Sequence, residues 1–302
     1  MTQDIPHSAE ATARANGIDI VYDTFGDPSA PAILLIMGLG AQMITWDEEF
    51  CAQLASYGYW VIRYDNRDIG LSTKFDNAGT VNILEIVAAT QSGQSVEAPY
   101  NLRDMADDAV GLLDALEIQI GHVVGASMGG MIAQLVAIHY PSRVSTLTSI
   151  MSSTGEPDLP PPSDEALQIL LVPPPTDRDG YIEASSKAWN YLNGPRYQSD
   201  ENRLLTRIGN AYDRGLCPDG VNRQLAATIT SEGRREALQS VAIPTLVIHG
   251  DADPLVPVEG GIDTAEAIPG AKKLIIEGMG HSLPDELWHP ILEAIVEHIS
   301  QR

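Results

Sequence analysis

The stretch His122-Val123-Val124-Gly125-Ala126-Ser127-Met128-Gly129-Gly130 decides how the chain is read. It opens as a short apolar strand, and from Met128 to His139 the pattern turns helical. Between the two, a serine stands in the pattern Gly-x-Ser-x-Gly. A strand that passes into a helix through one serine needs flanking glycines, because the backbone there is strained and closely packed. The hydroxyl is then pushed out at the carboxyl edge of a sheet. The alternative is a tight turn whose serine only caps the helix.

A sheet is what the neighbouring segments imply. Ile18 to Tyr22, Ala32 to Ile36, Tyr59 to Tyr64, Val144 to Ile150, Thr245 to Ile248 and Lys273 to Ile276 read as strands. Helical patterns separate them: Trp46 to Ser56, Leu102 to Leu116, Ile262 to Ala267 and Leu287 to Ile299. In the Leu102 helix the apolar residues recur at helical spacing, with Asp104, Asp107, Asp108 and Asp114 opposite. Continuously apolar strands alternating with helices predict an α/β, doubly wound, mostly parallel sheet covered on both faces.

The alternation stops after Ile150. Pro157, Pro160, Pro161, Pro162, Pro173, Pro174 and Pro175 exclude long regular elements there. Helical patterns follow at Tyr181 to Asn193 and Glu201 to Arg214. The reading is a doubly wound core of residues 1–151 and 238–302, interrupted by a helical cap at 152–237. The irregular stretch Asp76 to Pro99 is longer than an ordinary loop and reads as a second mobile piece.

Serine needs a base, and the base needs an orienting acid. Of the seven histidines, His281 lies in the run Gly278-Met279-Gly280-His281 after the last apolar strand, where a loop can bring it over the sheet edge. His122 starts a strand, His249 ends one and has the pattern of a hydrogen-bonded structural residue, and His139, His289 and His298 fall in helices. Asp253, stiffened by Pro254, is the expected acid; Asp251 is the neighbouring alternative and can hold the turn instead.

With these residues in view, the sequence resembles the α/β-hydrolase fold superfamily across the chain outside the cap. Asp65-Asn66-Arg67-Asp68-Ile69-Gly70-Leu71-Ser72 is similar to the family's D-x-R-G-x-G-x-S turn, with Asp68 where glycine is usual. His249-Gly250-Asp251-Ala252-Asp253-Pro254 and Gly278 to His281 resemble its acid and histidine segments. Ile36-Met37-Gly38-Leu39-Gly40 stands where most relatives carry His-Gly, and this variant resembles the aclacinomycin methylesterase-like branch. The resemblance implies Ser127 as nucleophile, His281 as base and Asp253 as acid, with an oxyanion hole from the N–H groups of Leu39 and Met128. The missing histidine leaves the support of the Met37–Gly40 loop unassigned. Met37, Trp189 and Tyr191 are candidates for the substrate pocket.

The expected reaction is hydrolysis of small to medium apolar carboxylic esters, with a lactonase or C–C bond hydrolase as alternatives of the same machinery. A non-catalytic ligand receptor is the alternative of another class. No cofactor and no metal site is expected. The chain of 302 residues carries 41 acidic and 18 basic residues, a formal net charge of -23. That balance argues against nucleic acid and anionic membranes as partners. The expected partner is a small-molecule ester, and a homo-oligomer is left open. Cys51 and Cys217 read as reduced thiols, and Met1 to His7 lacks the pattern of a secretory signal, so a cytoplasmic protein is expected.

Overall fold

Every side chain from Ala32 to Ile36 is buried. Successive side chains of a strand point to opposite faces, so such a run requires cover on both sides. The computed structural model, which describes residues 5–301, shows how that cover is built. Of the amino-terminal stretch read above, residues 1–4 lie outside the described part.

The chain runs β1 (Ala11–Ala15), β2 (Ile18–Phe25), β3 (Ala32–Ile36), α1 (Glu48–Ser56), β4 (Trp60–Tyr64), α2 (Ile83–Gln91), α3 (Leu102–Ala115) and β5 (Gly121–Ala126). It continues through α4 (Met128–His139), β6 (Val144–Ile150), α5 (Asp164–Leu171), α6 (Arg178–Leu192), α7 (Glu201–Arg214), α8 (Pro218–Ile229) and α9 (Arg235–Leu238). It closes with β7 (Thr245–Gly250), α10 (Val258–Ala267), β8 (Lys272–Ile276) and α11 (Trp288–Ser300). The strands form one sheet in the order β1-β2-β4-β3-β5-β6-β7-β8.

From β4 to β8 the pairing is parallel, whereas β1–β2 and β2–β4 are antiparallel. Ala32, Leu34 and Ile36 pack with Met105, Leu112 and Leu113 of α3 and Ile132 and Val136 of α4. Ile33 and Leu35 pack on the other face with Phe50 and Leu54 of α1 and Ile291 and Ile295 of α11. The two-residue period of β3 thus feeds two separate cores. The expectation of an α/β sheet covered on both faces holds.

Strand order reverses direction between β3 and β5: from β3 the chain moves outward to β4, and from β5 it moves the other way to β6. Such a switch point opens a crevice at the carboxyl ends of the strands. The loops that meet there begin at Met37 and Ser127. α4 leaves β5 so closely packed that a Cβ on Gly129 would collide with the carbonyl oxygen of Ile36, and one on Gly125 with that of Gly129.

The structure adds elements the sequence reading lacks. β1 pairs with β2 through a two-residue turn, Asn16-Gly17, with both φ positive (46° and 79°). That is the conformation tight hairpins favour, and Asn-Gly suits it. The stretch from Asp76 to Pro99 is not structureless, since it contains α2, whose Ile83 and Ile86 pack on Leu225 and Ala226 of α8. α5 fits between the two proline clusters, capped by Ser163, whose hydroxyl accepts from Ala166 N–H. Between β6 and β7, α6 packs on α7 and α8 on α2, while α9 packs on α4 and α10.

Gly129→Ala tests the close packing of α4. It is expected to lower stability by about 1–3 kcal/mol, the usual cost of overpacking, read as an earlier urea-unfolding midpoint, whereas an exposed Glu49→Ala leaves the midpoint nearly unchanged.

Candidate active site

Ser127 lies between β5 and α4 with φ 56° and ψ -124°. A non-glycine residue pays for such a conformation with about 1–3 kcal/mol of strain. Its N–H donates to Ile150 O of β6 at 2.9 Å, and its carbonyl accepts from Gly130 N–H at 2.8 Å. The hydroxyl does not cap α4. It turns instead to His281, whose Nε2 is 2.9 Å from Oγ. The helix-cap alternative for Ser127 is therefore not what the chain does.

His281 Nδ1 lies 2.7 Å from Asp253 Oδ2. A carboxylate accepts only, so Nδ1 carries the proton, and in the neutral ring Nε2 is left to accept from the serine hydroxyl. Asp253 Oδ1 accepts the N–H groups of Leu255 and Val256, each at 2.8 Å. Burial pushes the Asp253 carboxyl up, but the attraction of the His281 ring when it is protonated, and hydrogen bonds from His249 and His281, outweigh it. They hold the group well below the usual carboxylate range. Asp251 sits outside this chain of bonds and accepts Gly278 N–H at 2.6 Å, holding the turn that leads to the histidine.

His249 is the structural residue of the pair. It is fully buried, its Nε2 lies 2.8 Å from Val256 O and 3.5 Å from Asp253 Oδ2. A donor bond to Val256 O ties the Asp253 loop to the end of β7. The His281 loop is equally fixed: His281 N–H donates to Leu192 O at 2.6 Å, and Gly280 N–H to Asn193 O at 3.0 Å. Ser282 Oγ adds a bond to Asn193 Oδ1 at 2.6 Å. The carboxyl end of α6 thus holds the glycine-rich loop that carries the histidine.

Leu39 and Met128 flank Ser127 on the other side. A Cβ placed on Gly38 would lie 3.0 Å from Ser127 Cβ, so the Met37–Gly40 loop runs directly against the serine. Neither the Leu39 nor the Met128 N–H finds an acceptor among the described residues. Met128 opens α4, so its N–H adds the positive end of a helix dipole. Met37 is buried in the core on the α1 side, and its carbonyl accepts from Asn66 Nδ2 at 2.9 Å. Tyr191 hydrogen-bonds Ser163 Oγ at 2.8 Å, tying α6 to the start of α5. Trp189 lies under the Arg207 guanidinium, 5.0 Å from the ring centroid. The structure gives these two aromatic residues packing contacts within the helical segment.

Sequence reading missed the residues that support the turn after β4. Asp68 has φ 70°, the left-handed region that glycine ordinarily fills. Its carboxylate takes both ends of the Arg223 guanidinium, at 2.8 Å each, together with Tyr100 OH at 2.7 Å and Phe75 N–H at 2.7 Å. Asp68 and Arg223 are both about fully buried, at 0% and 1% exposure. Burial pushes the Asp68 carboxyl up, but the Arg223, Phe75 and Tyr100 hydrogen bonds prevail and leave it below its ordinary value. An aspartate in a glycine position was the one signal that a cation had to lie near. Which cation lies 155 residues away is not written in any local pattern.

A hydroxyl bonded to a neutral imidazole, itself held by an ionised carboxylate, is the arrangement that makes an alcohol nucleophilic. Groups of histidine, cysteine and acidic residues spaced to hold a metal ion are absent among the described residues.

The model of the alpha/beta hydrolase fold family matches residues 31–286. The chain belongs to the α/β-hydrolase fold family. Rhodomycin D methylesterase DauP of a Streptomyces species is 32% identical over 299 residues, covering 90% of this chain and 92% of the relative. The 3-oxoadipate enol-lactonase 2 of Acinetobacter baylyi is 26% identical and covers 88% of each. Among solved structures, an esterase from Rhodococcus, RhEst1, superposes with a TM-score of 0.73 at 20% identity, covering 97% of this chain and 99% of that one. The chain is a hydrolase of this family.

Arg223→Met removes the partner of a buried carboxylate. A loss of about 3–5 kcal/mol is expected at neutral pH, measured by urea unfolding. Asp68 has a lowered folded pKa, so its contribution is complete above the unfolded value of about 3.9 and is lost as pH falls through the folded one. The difference between the variant and the parent should therefore shrink on acidification below about pH 4.

Proposed function

We propose that the chain hydrolyses small to medium apolar carboxylic esters through an acyl-enzyme, with Ser127, His281 and Asp253 as catalytic residues. The observation that carries this reading is the continuous bond path Asp253–His281–Ser127, at 2.7 and 2.9 Å. His281 Nε2 takes the Ser127 proton as Oγ attacks the ester carbonyl. The carbonyl oxygen becomes an oxyanion between the N–H groups of Leu39 and Met128, donors with no other acceptor to leave. The tetrahedral intermediate collapses, the alkoxide departs, and His281 gives it the proton. Water then enters on the acyl carbonyl, passes its proton to His281, and the acid and free serine are released. Asp253 stays ionised throughout and keeps the imidazole in the required tautomer.

Helices α5 to α8 act as the cap in this reading, because they hold the neighbours of Ser127. The methylesterase name of the relatives at 32% identity supports a methyl or other short alkyl ester as the bond cleaved. The partner is a small ester, and no cofactor enters any step. A cytoplasmic setting agrees with two free cysteines. No helix of the described residues is long and apolar enough to cross a membrane.

Turnover of p-nitrophenyl acetate and of aromatic methyl esters tests the mechanism. Ser127→Ala should lose at least about 10³-fold in kcat and all labelling by a fluorophosphonate, and Asp253→Asn about 10³–10⁴-fold. A Ser127→Ala variant as active as the parent would falsify the reading.

A further inference from the structure

The Met37–Gly40 loop is fastened on both sides of Leu39. Before it, Met37 O accepts from Asn66 Nδ2. After it, Gly40 N–H donates to Gln224 Oε1 at 2.9 Å. Gln224 is fully buried, and its Nε2 donates to Arg67 O at 2.8 Å. One amide thus bridges the loop after β3 and the turn after β4. Its orientation is unambiguous, since a flipped amide would set nitrogen against N–H and oxygen against C=O.

Gln224 cannot drift, because α8 is held independently. Arg223, the residue before it, grips Asp68 through the buried bidentate pair. Gly220 faces Asp68 so closely that a Cβ there would lie 2.8 Å from Asp68 Cβ, and Val221 closes on Gly40. The loop therefore receives its position from a helix more than 180 residues further along the chain.

We propose that Gln224 is a positioning residue for the oxyanion hole: by accepting Gly40 N–H, it sets the direction of the adjacent Leu39 N–H. This rests on the oxyanion role of Leu39 given above. It also supplies the support for the loop that the absent histidine left unassigned. The full negative charge on the carbonyl oxygen exists only in the transition state and the tetrahedral intermediate. A donor misplaced by a fraction of an ångström still admits the ester but stabilises that charge poorly. The effect of Gln224 therefore falls on kcat and on oxyanion-bearing inhibitors, and hardly on KM.

The test compares the parent, Gln224→Met and an exposed control on the same helix, Asp219→Ala, with p-nitrophenyl acetate as substrate and an aryl trifluoromethyl ketone as inhibitor. The ketone adds Ser127 to form a hemiketal oxyanion. Gln224→Met is expected to lower kcat by about 10–100-fold, less than outright loss of a donor. KM should stay within about twofold and the ketone Ki should rise in step with the loss in kcat. Asp219→Ala should match the parent. A purely structural role would lower the melting temperature and leave the ratio of Ki to KM unchanged, and that result overturns the proposal.

Should Gln224→Met not fold, Gln224→Glu decides. Its buried carboxyl, protonated against the Arg67 carbonyl, keeps an acceptor for Gly40 N–H and a donor for Arg67 O, so it should hold the parent ratio of Ki to KM; a changed ratio overturns the proposal. Ser127→Ala, run alongside, separates the two levels. If it is inactive while Gln224→Met keeps the parental kcat and Ki, only the positioning role fails. If Ser127→Ala itself turns over normally, the acyl-enzyme reading fails and the positioning role with it.

Discussion

The left-handed backbone of Ser127 is the constraint around which the molecule is arranged. β5 must end and α4 begin within a single residue, and only an abrupt turn at φ 56° allows it. Nothing local favours that conformation for a serine. It persists because α4 is pressed against β3 at Gly129, and because Ser127 N–H is taken by the end of β6. The same turn that strains the backbone lifts Oγ clear of its own helix. The first N–H of α4, that of Met128, is left without an acceptor among the described residues.

Everything that meets the hydroxyl comes from far along the chain and is fixed by polar contacts of its own. The Asp253 loop is held by its own N–H groups and by His249, and the histidine loop by the end of α6. The loop carrying Leu39 is held by Asn66 and Gln224. Buried charges obey the same economy of pairing: Arg63 with Asp23, Arg67 with Asp108, and Arg223 with Asp68. Arg234 is buried on a different footing, its guanidinium held by the neutral acceptors Gln134 Oε1, Ser231 Oγ and the carbonyls of Ser153 and Glu232.

How much of this the sequence discloses depends on how local the cause is. Gly125, Gly129 and the serine between them are legible because one tight turn dictates all three. Ala32 to Ile36 is legible because cover on both faces leaves no polar position. The acid and histidine stand in short runs after strands, so their places at the sheet edge could be read; the structure sets them 2.7 Å apart. The hairpin of β1 and β2 was open to reading through Asn16-Gly17, yet the weak alternation of Ala11 to Ala15 concealed it. α5 was hidden by its flanking prolines, which bound a helix as readily as they forbid one. Gln224 and Arg223 carry no local mark at all. Their roles exist only once α8 is folded onto two turns distant in sequence, and the single hint was the aspartate at 68. Tyr191 likewise has a contact that no local pattern announces, its hydroxyl bonding Ser163 at the start of α5.

The adjacency of Arg223 and Gln224 has a consequence for inheritance. One turn of α8 contacts both the turn after β4 and the loop after β3, so the helical segment is not a module that recombination can exchange freely. A chimaera joining this core to a foreign segment would leave Asp68 buried without its cation and Gly40 without its acceptor, unless both residues travelled with the graft. Substitutions at 68, 223 and 224 are therefore coupled, and α7 is bound in the same manner, since Arg214 at its end reaches both Gln42 after β3 and the buried Asp65 after β4.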